Sequence, residues 1–308
     1  MKLIISSPRG FCAGVTRAIE IVEKAILMWG SPIYVKHEIV HNKFVVEQLK
    51  KKGAIFVEEL EEIPSGSRVI FSAHGVPPKT FTDAKKRNLQ VTDATCPLVT
   101  KVHKESKKFS ENGCKILLVG HQNHVEVIGT KGVSPDNTII IENVEDVKKL
   151  TLLEDTKVAM LTQTTLSLND TKDISEALYK KFPNLKKSNK SDICYATTNR
   201  QQAISEICKE AEIVLVVGSK NSSNSNRLKE VAQKLGVKSH LIENKSDILS
   251  EWFEGIKVIG LTAGASTPEI LIKECIEQLK VYGVSEVEEK TIVEENISFS
   301  LPVPLKEA

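Results

Sequence analysis

The sequence predicts an α/β fold of three related lobes, with mostly parallel sheets set around a pseudo-threefold axis and a central cavity. Three observations predict it. Apolar, strand-like runs such as "KILLVG" and "EIVLVVG" alternate with segments of helical period along most of the 308 residues, the pattern of βαβ units built on a parallel sheet. Three cysteines, Cys12, Cys96 and Cys194, each stand where a strand-like stretch gives way to a helix. After each of them one order recurs: helix, strand, polar cluster, helix, strand, polar cluster.

The elements justify this in turn. A short strand, "KLIIS", leads through "SPRGFC" into a helix with Val15, Ala18, Ile19, Val22 and Ile26 on one face. In "DATCPLVT" a cysteine directly precedes Pro97. Proline suits the first helical position because its missing N–H would have no partner there. Cys96 is therefore predicted at a helix N-cap, where outward-pointing N–H groups favour a thiolate over a thiol. "SDICYATTNRQQAISEI" repeats the arrangement, with Ala203, Ile204 and Ile207 turned inward.

The polar clusters follow the same rhythm. His41, His124 and Ser222 stand 28 or 29 residues after their cysteines, and His74, Thr164 and Ser266 form a second set after further apolar runs. In open α/β sheets ligands bind at that carboxyl end of the strands. The boundaries expected from the repeat are residues 1–95 for a first lobe that includes the Cys12 segment, 96–193 for a second and 194–281 for a third. Residues 282–308 are expected as a tail laid over another lobe, the first in particular.

Composition narrows the function classes. Forty-two Lys and Arg against forty Asp and Glu leave a net charge of +2, which gives no general reason to expect nucleic acid or a membrane surface. "MKLIISSPRGF" does not read as a secretory signal, and no apolar run approaches the ~20 residues that span a bilayer. A cytoplasmic location is expected, where cysteines stay reduced. The six cysteines are then packing residues or chemistry. Cys114, Cys208 and Cys275 sit at apolar positions and read as packing. Three thiolates at one point would suit zinc or an iron–sulfur cluster, but the C-x₂₋₄-C pairs usual in structural zinc sites are missing. Clusters usually take four cysteines; three would leave one iron open to substrate.

The stretches "RGFCAGVTRAI", "HEIVHN", "FSAHGV", "DATCPLV", "GHQNHVEVIGT", "TQTTLS", "CYATTNRQ", "GSKNSSNSNRL" and "TAGASTP" occur in the order, and over the span, seen in one enzyme family. By these the chain resembles the 4-hydroxy-3-methylbut-2-enyl diphosphate reductases of the non-mevalonate isoprenoid pathway. The resemblance implies one 4Fe–4S cluster held by Cys12, Cys96 and Cys194, with the substrate hydroxyl at the open iron. It implies two electrons from an external ferredoxin or flavodoxin system, and loss of the hydroxyl as water. Val125 departs from the family, which often has proline there, so a local backbone difference is expected.

Glu126, expected on a strand-end loop two residues after His124, is the proton source in this reading. Thr164 is expected to bond the substrate hydroxyl or Glu126, with Thr165 as the alternative. His41, His74 and His124 offer donors and, when protonated, charge to the diphosphate. Ser222, Ser223 and Asn224 open a helix whose N-terminus suits oxyanions. Ser266 is a further contact, and Ser266 to Glu269 also reads as a capping box. His37, His103, His121 and His240 read as structural or surface residues. No G-x-G-x-x-G fingerprint or Walker loop is evident, so no nicotinamide or flavin site is expected. Two other classes fit the cysteines alone: a non-enzymic iron–sulfur sensor and a zinc-dependent hydrolase of phosphorylated metabolites.

Overall fold

The computed structural model describes residues 1–153 and 155–305. The chain runs β1 (Lys2–Ser7), α1 (Ala13–Trp29), β2 (Ile33–Lys36), α2 (Lys43–Lys51), β3 (Ala54–Val57), β4 (Arg68–Phe71), α3 (Pro78–Lys86) and β5 (Gln90–Asp93). It continues with α4 (Pro97–Glu111), β6 (Lys115–Val119), α5 (Val125–Lys131), β7 (Thr138–Ile141), α6 (Val144–Lys149), β8 (Val158–Thr162), α7 (Leu168–Lys181) and β9 (Lys186–Lys187). The last part comprises α8 (Tyr195–Ile207), β10 (Ile213–Val217), α9 (Ser223–Lys234), β11 (Lys238–Ile242), β12 (Val258–Ala263), α10 (Glu269–Val281) and β13 (Glu286–Thr291).

These strands form three sheets, ordered β3-β2-β4-β5, β7-β6-β8-β9 and β11-β10-β12-β1-β13. All their pairings are parallel. One strand order recurs in all three, as the repeat requires. In the first two sheets the fourth place is held by the strand that precedes the next cysteine, β5 before Cys96 and β9 before Cys194. In the third sheet that place falls to β1, the strand before Cys12.

This differs from the expectation that residues 1–95 form one lobe. The repeat is closed by the N-terminal strand returning to the third sheet, where Leu3 pairs with Ile259 and Val287. The cause is burial on both faces: Leu3 and Ile5 pack with Leu215 and Leu261, and Ile4 packs with Val214 and Val216 on the other side. A parallel strand so enclosed must be largely apolar; "LII" meets that demand, and the buried Ser6 hydroxyl is satisfied by donating to Thr262 Oγ1 at 2.6 Å. The tail likewise does not simply cover the first lobe. Its β13 extends the third sheet beside β1, and its exposed glutamates protect the free edge.

Two compact units emerge from the chain. One comprises residues 1–15, 41–45 and 195–298, the other residues 16–40, 46–194 and 299–308. The first holds the five-stranded sheet, and the second holds both four-stranded sheets. In the second unit the distal tail lies by α1, where Arg17 Nε donates to the Ser300 carbonyl at 2.8 Å. Among the described residues no helix is long and apolar enough to cross a membrane.

Candidate active site

Each of the three cysteines precedes a helix: Cys12 before α1, Cys96 as the N-cap of α4 with Pro97 at its first position, and Cys194 before α8. All three are partly buried. Each backbone N–H is held by a strand-end carbonyl. Cys12 donates to Ala265 at 3.1 Å, Cys96 to Ala73 at 2.9 Å and Cys194 to Thr164 at 3.0 Å. Ala265 precedes Ser266 and Ala73 precedes His74, so every member of the second polar set is tied by one peptide group to a cysteine. The other cysteines behave as packing residues. Cys114 and Cys275 are fully buried, and Cys208 packs beside Ile204 and Ile207. Burial pushes the Cys208 thiol up to about 11 and that of Cys275 up to about 12.

In the second unit Glu126 and Thr164 form a buried pair. The Thr164 N–H donates to Glu126 Oε1 at 2.6 Å and its hydroxyl to Oε2 at 2.9 Å. The hydroxyl partner is thus Thr164, whereas Thr165 Oγ1 accepts from the Gln163 amide at 2.9 Å. Burial drives the Glu126 carboxyl up to about 7, against the pull of both Thr164 hydrogen bonds, and nearby Asp192 adds to the rise. Such a carboxyl is still protonated in part at neutral pH and can donate that proton.

Glu126 lies in the first turn of the seven-residue helix α5, not on the expected loop. The stretch is short and carries Gly129, so its helical period is weak in sequence. His124 caps the helix, its Nδ1 accepting from the Glu126 N–H at 3.2 Å. Val125 takes the first helical position, where valine and proline are both accommodated. The His74 ring stands edge-on to that of His124, centroids 6.2 Å apart, and to that of His37 at 5.7 Å. His37, read as structural, therefore borders the candidate site.

In the first unit the polar set gathers around the end of the five-stranded sheet. Ser222 caps α9, its hydroxyl oxygen accepting from the Ser225 N–H. Asn224 is buried; its Oδ1 accepts from the Ala265 N–H at 2.9 Å and its Nδ2 donates to Thr197 Oγ1 at 3.3 Å. Ala265 therefore joins Asn224 to Cys12 through its two peptide groups. A Cβ at Gly218 or Gly264 would meet Ser225 Oγ at 2.2 and 2.0 Å, so only glycine lets the start of α9 settle on these strand ends. Ser223 is the first residue of α9 and is partly buried.

Ser266 does not act in the capping box read from sequence. Its helix begins at Glu269 with Pro268 as N-cap, and its hydroxyl donates to the His41 carbonyl at 2.9 Å. Glu269 turns instead to Arg9 at 3.0 Å. His41 Nδ1 also lies 3.4 Å from Asn221 Nδ2.

Sequence reasoning missed one anchor, Arg200 in "CYATTNRQ". Its side chain is fully buried. It donates to the Gly10 carbonyl at 2.8 and 3.2 Å and to the Ala196 carbonyl at 3.1 Å, and pairs with Glu295 at 2.9 Å. The Tyr195 hydroxyl accepts from the Ala13 N–H at 3.1 Å. Residues flanking Cys12 are thus bonded to residues that follow Cys194. The available signal was weak: Arg200 stands four residues before Ile204 and seven before Ile207, on a buried face that also carries the polar Thr197 and Gln201.

The model of the family described as LytB protein matches residues 3–280. A curated relative from Protochlamydia amoebophila, named 4-hydroxy-3-methylbut-2-enyl diphosphate reductase, is 56% identical over 308 residues, covering 100% of this chain and 98% of its own. A relative of the same name from Glaesserella parasuis is 54% identical, covering 99% and 98%. The solved structure of the E-1-hydroxy-2-methyl-but-2-enyl-4-diphosphate reductase from Plasmodium falciparum superposes with a TM-score of 0.95 at 40% identity, over 100% of this chain and 97% of that one. With the family model matched over residues 3–280 and relatives more than half identical over nearly the whole chain, the chain belongs to the LytB protein family.

Proposed function

We infer that the protein reduces 4-hydroxy-3-methylbut-2-enyl diphosphate to isopentenyl and dimethylallyl diphosphate. The observation that carries this reading is the link from Cys194 through the backbone of Thr164 to Glu126, a buried carboxyl whose pKa is raised to about 7. The names of the curated relatives support it.

The donor set fits an iron–sulfur group. Cys12, Cys96 and Cys194 are partly buried soft ligands at helix starts, whereas the remaining three cysteines are packed into cores or against them. These three would hold one 4Fe–4S cluster. When bound, it supplies electrons and, with only three protein ligands, one iron open to the substrate's oxygen. The rest is the work of this chain. Glu126 holds the proton that the departing hydroxyl takes as its C–O bond breaks, and Thr164 fixes both carboxyl oxygens so that the proton points one way. Two electrons and two protons per substrate yield one allylic or homoallylic diphosphate and one water. His41, His74, His124, Ser222, Ser223, Asn224 and Ser266 supply donors for the diphosphate. The electrons come from an external ferredoxin or flavodoxin system in the cytoplasm.

Anaerobic purification tests this. The expected protein is coloured, contains about four irons and four acid-labile sulfides per chain, and forms both products from the allylic diphosphate with excess reductant. A colourless protein with one zinc and no sulfide would overturn it in favour of a hydrolase. A full cluster with no substrate consumption would favour a sensor.

A further inference from the structure

A basic surface frames the two cysteine-bearing segments of the second unit. Residues 97–111 and 180–192 carry nine lysines against three acids, in a chain of net charge +2. The two segments are fastened together. Lys101 Nζ donates to the carbonyls of Lys190 at 3.0 Å and Ser191 at 3.1 Å and pairs with Asp192 at 2.9 Å, and the Ser188 hydroxyl donates to Glu105.

One of the three acids is thereby turned inward and a second is paired. The Asp192 side chain is 4% exposed and also accepts from the Thr162 N–H at 3.1 Å, and Glu105 faces Lys101 at 3.6 Å. Glu111 pairs with Lys107. Lys104, Lys108, Lys186 and Lys190 are exposed, with no acidic partner among the described residues. Beside them Arg17, Lys101 and Lys104, together with Asp93 and Glu105, border a hollow of about 490 Å³.

We propose that this surface docks an acidic one-electron carrier protein and is where electrons enter the enzyme. The proposal rests on the reductase reading above. Position favours this occupant. Lys101 and Lys104 lie about 7 and 12 Å beyond Cys96 along α4 at 1.5 Å per residue, and Lys190 is only four residues before Cys194, at most ~14 Å of chain. A carrier seated on these lysines is close to two of the three cysteines. In each encounter the reduced carrier loses one electron and the iron–sulfur group gains it, so two encounters supply the pair that one substrate consumes. Opposed charge speeds such encounters and is screened by salt.

The test uses anaerobic holoenzyme and an acidic plant-type ferredoxin. Affinity is measured directly over a salt series, alongside turnover driven by the ferredoxin or by dithionite with a viologen dye. The variant is Lys104→Glu, Lys108→Glu, Lys186→Glu, Lys190→Glu; the control reverses the exposed Lys51, Lys238, Lys257 and Lys273. The variant should keep its iron, sulfide and dye-driven turnover, lose about tenfold or more in ferredoxin affinity, and lose most of the salt dependence. The control should match wild type. Unchanged affinity in the variant, equal loss in the control, or tighter binding of single-stranded RNA than of ferredoxin at the same lysines would overturn the docking proposal while leaving dye-driven reduction intact. Wild type that lacks dye-driven turnover would instead sink the reductase reading.

Discussion

At Glu126 two local influences act in opposite directions: burial favours the neutral carboxyl, and the paired hydrogen bonds from Thr164 favour the carboxylate. Burial wins. Glu126→Gln keeps the shape but cannot give up a proton, so turnover should fall by roughly 10²–10⁴-fold with iron content and substrate affinity nearly unchanged. A steady-state assay with excess reductant checks this, and near wild-type turnover would assign the proton elsewhere. The shift also carries a pH signature in the metal-free chain. Because the folded pKa of about 7 lies above the unfolded value near 4.5, the neutral carboxyl's stability contribution is fully present below pH 4.5. It fades as pH rises to 7 and beyond. Urea titrations across that window should show the decline in wild type and a shallower one in Glu126→Gln. At the cysteines, serine at Cys12, Cys96 or Cys194 should lower iron and sulfide content sharply, since an alkoxide replaces a soft thiolate poorly. Serine at Cys114, Cys208 or Cys275 should leave both close to wild type; iron loss at Cys114 equal to that at Cys96 would contradict the assignment.

At the scale of elements, the segment before Cys12, the start of α8 and the tail meet at Arg200. Removing Glu295 strands a buried guanidinium, and Glu295→Ala should cost roughly 3–5 kcal/mol of unfolding free energy. Arg200→Met with Glu295→Leu should recover much of that loss, which a denaturant series on all variants would measure. A Glu295→Ala protein as stable as wild type would remove the tail from the account. This anchor was not legible in sequence, because the Arg200 partners are a carbonyl 190 residues away and a carboxylate 95 residues away. The N-cap of α4 was legible because Pro97 and Cys96 announce it within two residues. Helix α5 was not, since seven residues with a glycine carry little period. Ser266 was found as a polar landmark, but its partner depended on where α10 begins, and Pro268 moved that start beyond the capping-box register.

For the whole molecule, the threefold strand order was readable from the recurring cysteines and polar clusters. The place of β1 was not: chain neighbours suggest a lobe, but sheet membership is decided by hydrogen bonds across some 256 residues, from Lys2 to Val258. The polar landmarks were legible because they sit at fixed offsets from strand ends, which a repeat exposes. The central claim is that these offsets assemble one reductive site on an allylic diphosphate. It is tested most directly by product analysis after a single anaerobic incubation of chemically reduced, iron-loaded protein with 4-hydroxy-3-methylbut-2-enyl diphosphate. The account predicts isopentenyl and dimethylallyl diphosphate, with two electrons consumed per molecule converted. Fully iron-loaded protein that releases inorganic phosphate, or leaves the substrate untouched, would contradict it.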